Sequence, residues 1–131
     1  MHQPKIIELP KIYDDRGNLS FFEENKHIPF NIERTYWIYD VPGGEKRGGH
    51  AFTDTQEFIV ALSGSFDVIL NDGKNRHEFH LNRSYCGLYI PKMFWREIEN
   101  FSTNSIALVV ADKLYNEHSY LRDFDEFARK K

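Results

Sequence analysis

The stretch "RGGHAFTDTQEFIVALSG", residues 47–64, reads as two extended runs joined by a polar reversal. In the first run, alternation along a strand aims His50 and Phe52 into the same space, with Asp54 next in the series. In the second, it sets Phe58, Val60 and Leu62 on one face. A histidine aimed inward has three readings: half of a metal site, the base of an enzyme, or an ordinary core residue hydrogen-bonded to a carbonyl or hydroxyl.

The rest of the chain repeats the pattern. "SFDVIL" and "HEFHL" flank "NDGKNR", where Asn71, Asp72 and Gly73 supply the positive φ angles of a tight reversal, so these runs are expected to form a hairpin. Further strands are expected at "IERTYWIYD", "EFIVALS", "SYCGLYIP" and "SIALVVA". Aromatic residues make up 15% of the chain and fall in short runs between Gly, Pro, Asn and Asp, which suits half-buried strands rather than helices. Only the end looks helical: in "SYLRDFDEFARKK", Tyr120, Leu121, Phe124 and Phe127 recur at helical spacing with cations in the last turn, predicting a helix over 119–130. The fold class is therefore all-β, a small sandwich or barrel with a short C-terminal helix packed on it. A barrel of this size either fills its interior or keeps a pocket for one ligand.

At 131 residues the chain is expected to form a single domain over 1–131. A net charge of -3, with Lys and Arg scattered and no basic run, argues against nucleic acid and against an anionic membrane surface. "MHQPKIIELP" is too polar for a signal peptide and no run approaches a membrane span, so the protein is expected to be soluble and cytoplasmic. Cys86 is the one cysteine, which rules out an internal disulfide and a thiolate zinc site within the chain.

The spacing around His50 resembles that of the cupin superfamily, whose first motif runs Gly, five residues, His, one, His, three or four, Glu, six, Gly. Gly44, His50, Glu57 and Gly64 fit it, with Phe52 where the second His belongs. In the second motif Pro91, Met93, Arg96 and Asn100 occupy the set positions, and Arg96 stands where the last His belongs. A cupin metal needs about three nitrogen or carboxylate ligands, whereas this chain offers one His and one Glu against a guanidinium that cannot coordinate. No metal is expected.

Four longer pieces narrow the resemblance: "DDRGNLSFFEENKHIPFNIERTYWIYDVPGGEKRGGHA", "LSGSFDVILNDG", "GLYIPKMFWREIENFS" and "LYNEHSYLRDFDEF". Together they are similar to the WxcM-like family of small cupins, the nucleotide-sugar 3,4-ketoisomerases, from about Ile6 to Phe127. The resemblance implies a jelly-roll cupin that isomerises a dTDP-linked 4-keto-6-deoxyglucose without metal or cofactor, serving synthesis of 3-amino-3,6-dideoxy sugars for surface glycans. It also implies a homodimer in which N-terminal strands, about residues 5–25, are exchanged. The family's proton acceptor falls on His50.

The residue chemistry is compatible with that work. Moving a ketone from C4 to C3 needs a base for the C3 proton, stabilisation of the enediolate, and return of a proton at C4. Neutral imidazole can do the first and the last. Arg47 and Arg96 offer positive charge either to the enediolate or to the diphosphate. Tyr36 offers a hydroxyl to relay a proton or hold a sugar hydroxyl. Arg16, Phe52 and Trp95 complete the candidate substrate contacts, Phe52 as an apolar wall for a sugar face. Beside these stand plainer readings: ion pairs of Arg47 or Arg96 with Glu57 or Glu97, a solvated Arg16, and core roles for Tyr36 and Trp95. Two other functions share the pocket chemistry, a non-catalytic sugar-nucleotide-binding cupin and an epimerase-like relative.

Overall fold

Phe66, Val68 and Leu70 are fully buried along one side of a strand, and this alternation fixes the register of the chain's central hairpin. The strands β7 (Phe66–Asn71) and β8 (Arg76–Leu81) pair antiparallel, from Phe66 opposite Leu81 to Asn71 opposite Arg76. Their turn is held by Asn71 Oδ1, which accepts from the Gly73 amide at 2.7 Å, and by Asp72 Oδ1, which accepts from the amides of Lys74 and Asn75. Gly73 takes φ +99°, a conformation that disfavours any side chain.

The computed structural model describes residues 3–131. The four further strands expected from sequence are present as β4 (Arg34–Ile38), β6 (Glu57–Ser63), β9 (Cys86–Ile90) and β11 (Ile106–Ala111). With β1 (Lys5–Glu8) they form a sheet in the order β1-β9-β6-β11-β4. A second sheet runs β12-β5-β10-β7-β8, where β5 is Arg47–Phe52, β10 is Trp95–Glu99 and β12 is Tyr120–Leu121. A small hairpin joins β2 (Lys11–Ile12) to β3 (Leu19–Ser20). Among the described residues no ladder joins the two large sheets, so this jelly-roll-like domain is an open sandwich rather than a closed barrel.

The sandwich interior is filled from both sheets by Ile59, Val68, Leu70, Leu88, Ile90, Ile98 and Val109. Each such side chain contributes about 1.5–3 kcal/mol on burial. A second cluster covers the outer side of the first sheet, where Phe58, Val60 and Tyr89 meet Leu9, Ile28 and Phe30 of the N-terminal segment. Phe58 and Val60 therefore point away from the interior, and Leu62, next in their series, is exposed.

β1 is bonded to β9, Lys5 opposite Tyr89 and Glu8 opposite Cys86, within the single chain described. One expectation changes. The C-terminal helix α1 (Phe124–Lys130) starts later than residue 119. Asp123 caps it, accepting from the Asp125 amide, and Tyr120–Leu121 is strand, pairing with Phe52 and Ala51. Leu121 decides this: as a strand residue it buries beside Ala51, Trp95 and Phe127 on the back of the second sheet.

Candidate active site

Consecutive strand residues face opposite ways, and β5 and β10 use this to separate a packing face from a chemical one. Ala51 and Trp95 turn outward to the helix, while His50 and Arg96, paired across the ladder, turn into the sandwich. Arg47, an odd number of residues before His50, would face the other way on a regular strand. A bulge corrects this: Arg96 is opposite His50 but Glu97 is opposite Gly48, so one residue of β5 is skipped, and Ile98 then pairs with Arg47. The bulge needs glycine. Gly48 (φ +104°) lies so near β10 that an added Cβ would sit 3.0 Å from the Arg96 carbonyl oxygen, and Gly49 has φ +76°.

Behind His50 lies a buried polar cluster that spans both sheets. Glu57 of β6 and Arg96 are 0% and 3% exposed and form an ion pair through Oε1 and Nη1. Tyr36 of β4 donates its hydroxyl to Glu57 Oε2 at 2.9 Å and accepts from Arg96 Nη2 at 2.9 Å. Arg96 Nε donates to His50 Nε2 at 3.2 Å. Arg34 adds a longer ion pair to Glu57 Oε2, 3.8 Å. A guanidinium only donates, so the His50 nitrogen facing it must be bare.

The electrostatics follow from burial and from this crowd of cations. Burial, with Arg96, Arg122 and Arg34 adding to it, lowers His50 from its ordinary 6.5 to about 3. The ring is therefore neutral. Burial pushes the Tyr36 phenol well above its ordinary value, leaving it a hydroxyl and not a phenolate. Burial also raises the Glu57 carboxyl, against the opposing pull of Arg96 and Tyr36. Burial alone would lower Arg96, but Glu57 and Tyr36 outweigh it and hold the guanidinium charged.

In front of the cluster a cavity of about 490 Å³ opens between β4, an edge of the first sheet, and the β5–β12 side of the second. Its lining includes Arg34, Lys46, Arg47, Arg96 and Arg122 and no carboxylate, in a chain whose net charge is negative. Arg122 is shared with Glu117, to which its Nε and Nη2 donate at 2.8 and 3.0 Å. Arg47 makes no ion pair with any described residue, and the buried Nε of Arg34 has no hydrogen-bond partner among them.

Of the residues expected from sequence, His50, Tyr36, Arg47 and Arg96 line this cavity together. Phe52 does not. It is 5% exposed, packed edge-on to His50 (4.9 Å between centroids) and to Tyr120 (4.6 Å), and supports the site from below rather than walling it. Trp95, on the opposite face of β10 from Arg96, stacks against Phe124 and Phe127 and donates to Glu97. Arg16 lies in the exposed β2–β3 turn, paired with Asp14 at 2.8 Å and outside the cavity of its own chain. Asp54 is likewise beyond it. Sequence reading missed Arg34, Tyr120 and Arg122 as lining residues, although Arg34 alternates with Tyr36 and Tyr120 with Arg122.

The family model described as WxcM-like, C-terminal, matches residues 2–131. The chain belongs to the WxcM-like family. A curated relative from Aneurinibacillus thermoaerophilus, TDP-4-oxo-6-deoxy-alpha-D-glucose-3,4-oxoisomerase, is 42% identical over 95% of this chain and 90% of its own. The crystal structure of a TDP-quinovose 3,4-ketoisomerase from Campylobacter jejuni is 44% identical, with TM-score 0.93 over 98% of this chain and 99% of that one. A histidine-to-asparagine variant of a 3,4-ketoisomerase from Thermoanaerobacterium thermosaccharolyticum, solved with TDP-4-keto-6-deoxyglucose, is 29% identical, with TM-score 0.96 over 99% of this chain and 94% of that one. Among the described residues of this WxcM-like chain, no helix is long and apolar enough to cross a membrane.

Proposed function

We infer that this chain is a sugar-nucleotide 3,4-ketoisomerase acting on TDP-4-keto-6-deoxyglucose, with His50 as the proton-transferring base. The observation that carries the reading is a neutral histidine, bonded to a buried guanidinium, at the wall of a cavity lined by five cations. The cations suit a diphosphate, and Arg47 and the Nε of Arg34, both without a partner among the described residues, are the donors ready for it. A cavity of about 490 Å³ is of the size that holds one small ligand.

In the proposed reaction the ketone oxygen takes over the Arg96 Nε–H, which frees the Nε2 lone pair of His50 and places a fixed positive charge where the enediolate develops. His50 then takes the C3 proton. The proton is returned at C4 while the hydroxyl proton passes from O3 to O4, so the ketone has moved and nothing is gained or lost. An imidazolium beside Arg96 is unfavourable, which drives the return. Tyr36, its proton committed to Glu57, holds the guanidinium in place rather than relaying the substrate's proton.

The active unit is proposed to be a homodimer. Trp37 and Tyr39, 58% and 59% exposed, lie on or beside the edge strand β4, and Leu62, on the central strand β6 of the same sheet, is 48% exposed; a second copy would cover these apolar side chains. Light scattering at micromolar concentration is expected to give twice the chain mass, and a stable monomer would contradict it.

The function is tested by incubating the protein with TDP-4-keto-6-deoxyglucose in deuterated water and following C3 and C4 by NMR. Loss of the C3 proton with growth of the 3-keto product is expected. Binding without exchange at either carbon would make the chain a sugar-nucleotide-binding protein and not an enzyme.

A further inference from the structure

Glu57 reaches no part of the cavity. It is fully buried on the far sheet from His50, yet it governs the group that His50 touches. Each of the three guanidinium nitrogens of Arg96 has a partner: Nη1 Glu57, Nη2 the Tyr36 hydroxyl, and Nε His50 Nε2. Tyr36 in turn donates to the second oxygen of Glu57. The carboxylate thus grips Arg96 twice, directly and through Tyr36, and it is the only group in the cluster that carries negative charge. A guanidinium has no lone pair, so a ring nitrogen facing it can only accept, and the ring's single proton must sit on Nδ1.

We propose that Glu57 is a positioning residue: by fixing Arg96 across the two sheets, it selects the His50 tautomer protonated at Nδ1 and makes Nε2 the basic atom. The catalytic consequence rests on the ketoisomerase reading above, whereas the tautomer itself does not. In the first cupin motif this glutamate stands at the spacing of a metal ligand; here the cation it holds is a side chain of the same domain.

The test uses protein labelled with ¹⁵N at histidine and long-range proton–nitrogen correlation at neutral pH without substrate, with His50→Asn assigning the signal. In the wild type, His50 is expected to show a protonated Nδ1 and a bare Nε2. Glu57→Gln removes the charge that orients Arg96, and a mixture of the two tautomers is expected, with kcat lower by about tenfold to a hundredfold, the usual scale for residues that orient a catalytic group, and KM nearly unchanged. Glu57→Asp keeps the charge and is expected to restore the Nδ1-protonated pattern. If Glu57→Gln strands the buried guanidinium and does not fold, Glu57→Gln/Arg96→Met removes both charges and is expected to give the same mixture. A wild-type His50 protonated at Nε2, or an unchanged tautomer in the folded Gln variant or the double variant, overturns the proposal. Because the spectrum is read without substrate, its failure is distinct from a failure to isomerise.

Discussion

The guanidinium of Arg96 lies over the ring of Phe52, 5.2 Å from its centroid. These are the two positions at which the chain departs from the histidines of the cupin motifs, and they touch. The negative face of an aromatic ring supports a buried cation without supplying a proton or a lone pair. The two departures are therefore one change: an arginine installed as a fixed cation between His50 and Glu57, and an apolar ring to seat it.

Phe52→His should accordingly cost stability more than activity. Replacing the ring removes a cation–π contact and buries a polar group, together about 1–3 kcal/mol. A melting temperature lower by several degrees is expected, with kcat close to wild type because Phe52 lies outside the cavity lining. Calorimetry and initial rates check this. A hundredfold rate loss in a variant of unchanged stability would contradict it.

Much of this site was legible from alternation alone. Period two set His50 beside Phe52, and the same rule, applied to adjacent residues, separates Trp95 from Arg96 once Arg96 is known to face inward. What the pattern could not show has physical causes. The bulge that turns Arg47 toward His50 is visible in sequence only as two adjacent glycines. Tyr120–Leu121 is too short a strand to show period two, and Leu121, Phe124 and Phe127, three apart, continue the helical spacing across it. The pairing of Glu57 with Arg96 joins different sheets, and no local rule reaches across that distance.

The pH dependence of kcat/KM separates this histidine from an exposed one. With His50 lowered to about 3, the free enzyme keeps its base unprotonated throughout the ordinary acidic range. A profile flat from about pH 8 down to about pH 5 is expected. An acidic limb centred near the ordinary histidine value would mean that the ring is not held neutral.

Stability should carry the same signature. The folded-state value lies below the unfolded 6.5, so between 6.5 and about 3 the unfolded chain binds a proton that the folded chain refuses. Stability is full above that window and is lost as pH falls through it. The drop in melting temperature between pH 7.5 and pH 5 should be smaller for His50→Asn than for wild type. Equal drops would show that His50 does not contribute to the acid sensitivity.

The cavity cations should act on binding. Losing one charge-assisted hydrogen bond to a diphosphate is worth about 1.5–3 kcal/mol. Arg47→Ala and Arg122→Ala are therefore each expected to raise KM by about tenfold to a hundredfold with kcat little changed, which steady-state kinetics at constant ionic strength will show. An unchanged KM in both variants would place the diphosphate elsewhere.

The central claim is that His50 moves the proton, and turnover by His50→Asn tests it most directly. An amide of similar size can accept the Arg96 hydrogen bond but cannot take and return a proton at neutral pH. The variant is expected to fold and to bind TDP-4-keto-6-deoxyglucose as the wild type does, while isomerisation followed by NMR slows by about a hundredfold or more. A folded His50→Asn protein that isomerises the sugar at the wild-type rate would contradict the account.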